Sequence, residues 1–148
     1  MRTLRFLITM ILIAGAMLGI QGCSAEGPQP IHYGKESCAH CRMTISDARF
    51  GSQLVTTKGR TYNFDDVQCL LSFVEEGGVA RSEVAHCYLS DYANGGKLLP
   101  ADSLLLLKSE SLKSPMRGDI AAFTSEAALE AVREVHGGEH LTWTDLWK

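Results

Sequence analysis

The stretch Asn63-Phe64-Asp65-Asp66-Val67-Gln68-Cys69-Leu70-Leu71-Ser72-Phe73-Val74-Glu75-Glu76-Gly77-Gly78 reads as a strand end, a capped helix and a stop. Asp65 suits the N-cap, where its oxygen can accept a first-turn N–H, and Asp66 adds a charge the helix dipole favours. Val67, Leu70, Leu71 and Val74 recur at helical spacing and predict one buried face. Gly77-Gly78 ends the helix. Cys69 points nearly opposite that face, so it either faces the loop of Cys38 and Cys41 or packs with Phe73 on a second covered side. A free Cys is often no more than a small buried apolar residue.

Working outward, Ser52 to Thr57 and Arg60 to Phe64 read as strands joined at Lys58-Gly59, a hairpin feeding the helix. The same plan recurs downstream. Val84 to Ser90 reads as a strand, Asp91 to Ala101 as a loop, Ser103 to Lys108 as a Leu-rich buried strand, and Asp119 to Phe123 as another short strand. Thr124 or Ser125 then caps a helix with the face Ala128, Leu129, Val132 and Val135, stopped by Gly137-Gly138. The repetition predicts an α+β fold: two ββα modules, about 36–80 and 81–148, packed into one compact domain. Trp143 and Trp147 are expected to close the core.

The N-terminus belongs to no such plan. Arg2 and Arg5 precede an almost continuously apolar run from Phe6 to Ile20, and Gly22-Cys23 follows. This is the layout of a secretory signal, and the run is shorter than the ~20 residues a spanning helix needs. Ile20-Gln21-Gly22-Cys23 resembles a bacterial lipobox, which implies a signal peptide over 1–22 and lipidation of Cys23. Ser24 resembles the residue that sends lipoproteins to the outer membrane. Residues 23–35, with Gly27, Pro28, Pro30 and Gly34, read as a flexible tether. Removing Arg2 and Arg5 takes the formal net charge from −3 to −5. An acidic chain without a basic run is a poor nucleic-acid binder and does not cling to anionic lipid. Anchoring is left to the acyl chains.

Chemistry concentrates in Cys38-Ala39-His40-Cys41-Arg42-Met43. A CxxC pair can be half a zinc site, a redox dithiol or a soft-metal clamp. Zinc calls for a second cluster, and Cys69 and Cys87 are singletons. A thioredoxin-like dithiol calls for a βαβ unit, and none is visible. Outside the cytoplasm a Cys38–Cys41 disulfide is a further reading. Met43 favours the clamp, because a thioether suits Cu(I) and serves zinc badly. Met116, in the turn Ser114-Pro115-Met116-Arg117-Gly118, is a second thioether displayed on a loop, or a residue capping the core edge. His40, between the cysteines, is a further candidate ligand. His32, His86, His136 and His140 show no ligand spacing, and Cys87 reads as strand packing. No GxSxG, phosphate loop or HExxH occurs, so an enzyme is not expected.

These elements together resemble the NosL family: Cys23 after a signal, Cys38-x-x-Cys41-x-Met43, Asn63 to Leu70, Ser114-Pro115-Met116, and Ala122-Phe123. Many members of that family have Gly before the motif Met, where this chain has Arg42. The resemblance implies a periplasmic, lipid-anchored Cu(I) chaperone feeding assembly of the nitrous oxide reductase copper centre. It implies ββα modules similar to treble clefs, copper held by Cys38 or Cys41 with Met43 and Met116, and a membrane ABC-type maturation complex as partner. A homodimer bridged by the ion is compatible with it. The alternative is an envelope structural or interaction lipoprotein stapled by zinc or a disulfide at Cys38 and Cys41.

Overall fold

The structure, a computed structural model, describes residues 27–148. The signal peptide over 1–22 and Cys23 lie outside the described residues. Strand β1 (Ser52–Thr56) turns at Gly59, in the left-handed region at φ 78°, into β2 (Thr61–Phe64), with Leu54 opposite Tyr62. Helix α1 (Val67–Glu75) follows. Its cap is Asp66 rather than the expected Asp65: the Asp66 side chain accepts from Cys69 N–H at 3.1 Å. Asp65 is turned into the interior. The helix buries Val67, Leu70, Leu71 and Val74 as the periodicity predicts, and Cys69 as well.

Strands β3 (Val84–Ser90) and β4 (Leu98–Pro100) come next. β3 pairs with β1, and β4 with β3, giving a four-stranded antiparallel sheet in the order β2-β1-β3-β4. The first sheet therefore recruits residues 84–100, beyond the expected module boundary near residue 80. A two-stranded hairpin leaves the β1 edge unpaired, and β3 covers it. Strand β5 (Leu105–Lys108), β6 (Ile120–Phe123) and helix α2 (Glu126–His136) form the second ββα unit, with Ser125 as the cap. Strand β7 (Glu139–Leu141) completes a second sheet, β6-β5-β7, and α3 (Trp143–Leu146) follows it. The sequence reading contained neither β4, β7 nor α3.

Strand β5 divides the interior. Its side chains alternate, so Leu106 enters the core of Leu54, Phe64 and Leu70, while Leu107 enters that of Phe50, Phe123 and Leu129. Val135 departs from expectation, being 78% exposed. It lies about 120° around the helix from Leu129, at about 100° per residue, and so falls off the buried face. Trp143 and Trp147 stack with centroids 5.4 Å apart and pack on the first core, as expected. The tether packs earlier than Lys35: Gln29 and Gln53 exchange two hydrogen bonds of 2.8 Å, and Ile31 is buried. No described helix is long and apolar enough to cross a membrane.

Candidate metal centre

The segment before β1 folds back on itself around the CxxC pair. Ser37 bridges Thr44, Cys38 N–H donates to the Met43 carbonyl at 2.8 Å, and Arg42 N–H donates to the Cys38 carbonyl at 3.1 Å. Closing so tight a loop puts Arg42 at φ 67°, in the left-handed region that glycine occupies without a steric penalty. Ala39 N–H donates to the Asn63 carbonyl at 2.8 Å, which fastens the loop to the edge of β2. Helix α1 starts three residues beyond Phe64, so the first turn that carries Cys69 lies against this loop.

The sulfur atoms of Cys38, Cys41 and Cys69 all lie within 4.8 Å of one another. An ion held at about 2.3 Å from three sulfurs separates them by at most about 4.0 Å, so a group within 4.8 Å needs only a small contraction to hold a thiophilic ion. All four described cysteines are free thiols. Cys38 and Cys69 are buried, and Cys41 is half-buried, leaving one side of the group open to solvent.

Charge in the group settles on one sulfur. The Cys69 thiol donates to Cys38, and with help from the backbone N–H groups of Asp65, Cys41 and His40 it brings Cys38 down to about 5 against the penalty of burial. Cys69 is pushed far up because it is that donor and because it is buried. Burial, then the neighbouring Cys38 charge, raises Cys41. The result is one thiolate shared among three sulfurs. The interior carboxyl of Asp65 is pushed up to about 6, first by burial and then by Cys38 and Asp66. Its Oδ1 has no hydrogen-bond partner among the described residues.

The other expected ligands sit in different settings. Met43 is 49% exposed on the open loop, one residue beyond Arg42. Met116 is half-buried and packs on the first core. Its backbone is tied to the site's helix: Asp66 Oδ2 accepts from Met116 N–H at 3.0 Å and from Ser114 Oγ at 2.7 Å, while Oδ1 caps Cys69. The turn presses so closely on α1 that a Cβ on Gly118 would stand 2.7 Å from Gln68 Cβ. One carboxylate thus holds the backbones of Cys69 and Met116. The His40 ring is not among the clustered ligand atoms; its Nε2 meets Glu76 at 3.1 Å, and its Nδ1 is buried without a partner among the described residues. What His40 brings to the sulfurs is its backbone N–H.

Cys87 lies apart on β3, opposite Leu54, where burial pushes its thiol up to about 12. His32 pairs with Glu36, and His136 Nδ1 meets Ser111 Oγ at 3.1 Å. His86 and His140 are exposed. The residue sequence reasoning left open is Cys69. Its position in the first turn of α1, next to the cap, is the signal that could have assigned it to the group.

A cluster of free thiols at the junction of a loop, a strand edge and a helix start gives this small α+β domain a donor set suited to a metal ion. The model of the NosL family matches residues 30–148, and the chain belongs to that family. Among solved structures it is similar to the copper chaperone NosL from Shewanella denitrificans, with a TM-score of 0.67. That match has 21% sequence identity and covers 80% of this chain and 94% of the other, a likeness of fold. No curated protein matches the chain significantly by sequence. Family membership agrees with the expectation that the chain is not an enzyme.

Proposed function

We propose that this chain is an exported, lipid-anchored Cu(I) carrier that delivers copper for assembly of the nitrous oxide reductase copper centre. The observation that carries the reading is the cluster of three free sulfurs within 4.8 Å, with one side open to solvent. Cu(I) is soft and favours such a donor set. In this reading Cys38 and Cys41 supply thiolate to the cargo ion, Cys69 supplies the third sulfur, and Met43 and Met116 supply thioether. His40 orients the loop through Glu76 and adds its ring only if that pair opens. Cys38 is charged before the ion arrives, so binding displaces fewer protons than three ordinary thiols would. Transfer proceeds by stepwise exchange of sulfur ligands with a docked acceptor, the membrane ABC-type maturation complex or the reductase itself. A periplasmic location, with Cys23 carrying the lipid, agrees with the signal-like N-terminus. The outer membrane is the side that Ser24 favours.

The test is mass spectrometry of the reduced protein titrated with Cu(I) and with Zn. One tightly held Cu(I) per chain is expected, and Cys38→Ser with Cys41→Ser should abolish it. Unchanged Cu(I) affinity in the double variant would refute the proposal. The buried pair Cys38 and Cys69 also suits a structural zinc, and circular dichroism after chelation separates the two. A chain that unfolds on losing its metal is stapled by it, whereas a carrier stays folded.

A further inference from the structure

Two open grooves flank the Cys38–Met43 loop. The larger, about 560 Å³, is lined among others by Glu36, Arg42, Arg60, Tyr62 and Phe73. The smaller, about 220 Å³, shares Arg42 and Phe73 and adds His40 and Glu76. Phe73 forms their common apolar floor, with its ring 5.0 Å from that of Tyr62 and 5.3 Å from that of Phe64.

The larger groove carries two guanidinium groups, Arg42 and Arg60, against the one carboxylate of Glu36, and the smaller sets Arg42 against Glu76. Glu36 is engaged by His32 and by Asn63 Nδ2 at 2.6 Å, and Glu76 by His40 at 3.1 Å. Among the described residues neither Arg42 nor Arg60 forms an ion pair with a carboxylate. Arg60 lies over the Tyr62 ring at 4.7 Å, and Arg42 is exposed. In a chain of net charge −3, two guanidinium groups without a direct carboxylate partner among the described residues thus line the larger groove, beside the half-buried Cys41 and the exposed Met43. The fold also holds Arg42 in a left-handed conformation, and strain of this kind is retained where a fold over-determines it, often at binding sites.

We infer that the face around Arg42, Arg60 and Phe73 docks an acidic protein partner, whose carboxylates pair with the two guanidinium groups. Arg matches carboxylate bidentately, and complementary charge steers encounter and fixes orientation. Cys38 and Cys69 are buried, so an acceptor can reach a held ion only past Cys41 and Met43, next to Arg42. This last point rests on the copper-carrier reading; the docking chemistry does not.

The experiment uses the full-length, reduced, metal-free protein in phosphatidylcholine nanodiscs and a fluorescent peptide of Asp and Glu with one central Met. A Lys-rich counterpart and phosphatidylglycerol vesicles serve as controls. The acidic peptide is expected to bind, more weakly as salt rises, and to perturb the amides of Ala39 to Met43. Arg42→Glu with Arg60→Glu should weaken it on the order of tenfold or more, while Arg42→Lys with Arg60→Lys restores part of it. Equal binding of the Lys-rich peptide, or unchanged affinity in the charge-reversed variant, overturns the inference. So does preferential binding of the vesicles that the charge-reversed variant loses, which would make the face a membrane contact. Arg60→Glu alone, which lies outside the ligand loop, should weaken the peptide and keep normal Cu(I) loading, and Cys38→Ser with Cys41→Ser should keep the peptide, so failure of docking and failure of copper binding are told apart.

Discussion

Replacing Asp66 tests how the two halves of the site are joined. Its carboxylate is fully buried and accepts three hydrogen bonds, from Cys69 N–H, Ser114 Oγ and Met116 N–H. In Asp66→Ala the lost cap costs about 1 kcal/mol. Two buried donors, Ser114 Oγ and Met116 N–H, are then left unpaired at about 1–3 kcal/mol each. Met116 is only half-buried, so water can reach that N–H and its share falls at the low end. The sum is about 3–5 kcal/mol, a large part of the ~5–15 kcal/mol that stabilises an ordinary domain. Asp66→Asn keeps an oxygen for the cap but turns an amide NH₂ toward two donors, so it should cost about 1 kcal/mol less. The assay is urea unfolding of the reduced, metal-free protein, followed by Cu(I) competition on whatever remains folded. If Met116 belongs to the site, Asp66→Asn should weaken Cu(I) while leaving all three thiols intact. A loss below about 1 kcal/mol in Asp66→Ala would refute the claim that this carboxylate joins the Met116 turn to α1.

Three further outcomes follow from the same geometry. Arg42→Gly should stabilise the protein by up to about 1 kcal/mol in urea unfolding, because φ 67° penalises a side chain and not glycine. Gly138→Ala should destabilise by well over about 1 kcal/mol: φ is 110°, and the added Cβ would stand 2.3 Å from the Lys108 carbonyl oxygen, so strand β7 must shift off β5. The pH test has a fixed sign. Cys38 ionises at about 5 in the folded chain and near 9.0 otherwise, so across that window the unfolded chain holds one more proton and stability rises with pH. Asp65, raised to about 6, acts in the opposite sense but only below that value, and Cys41 and Cys69 are raised out of the window. Between about pH 6 and pH 8 the reduced, metal-free protein should therefore gain stability by up to about 1.4 kcal/mol per pH unit, before the raised thiols of Cys41, Cys69 and Cys87 act in the opposite sense near 9.0. Cys38→Ser should remove that slope, and a wild-type profile flat or falling there would contradict a thiolate at Cys38.

The parts of this fold written in local pattern were legible, and those written in contacts between distant segments were not. Val67, Leu70, Leu71 and Val74 announced α1 because periodicity is a property of one segment. The choice between Asp65 and Asp66 was not local. Both suit a cap, and what separates them is that Asp65 is drawn into the interior, where its backbone N–H reaches the Cys38 sulfur. The same limit hid the recruitment of β3: nothing in Val84 to Ser90 says that it lies on β1 rather than on β5. Cys38 and Cys41 were legible as a pair because their spacing is short. Cys69 was not, since a helical wheel gives the direction of a side chain and not what it faces. The loop that covers that side of α1 is fastened by Ala39 N–H to the Asn63 carbonyl, one residue before Phe64. That hydrogen bond joins the two motifs that the sequence displays separately. It makes the end of β2 the common support of the CxxC loop and of the helix carrying the third sulfur. The site is therefore a property of the hairpin–helix junction, which explains why its sulfurs gather without a disulfide to hold them.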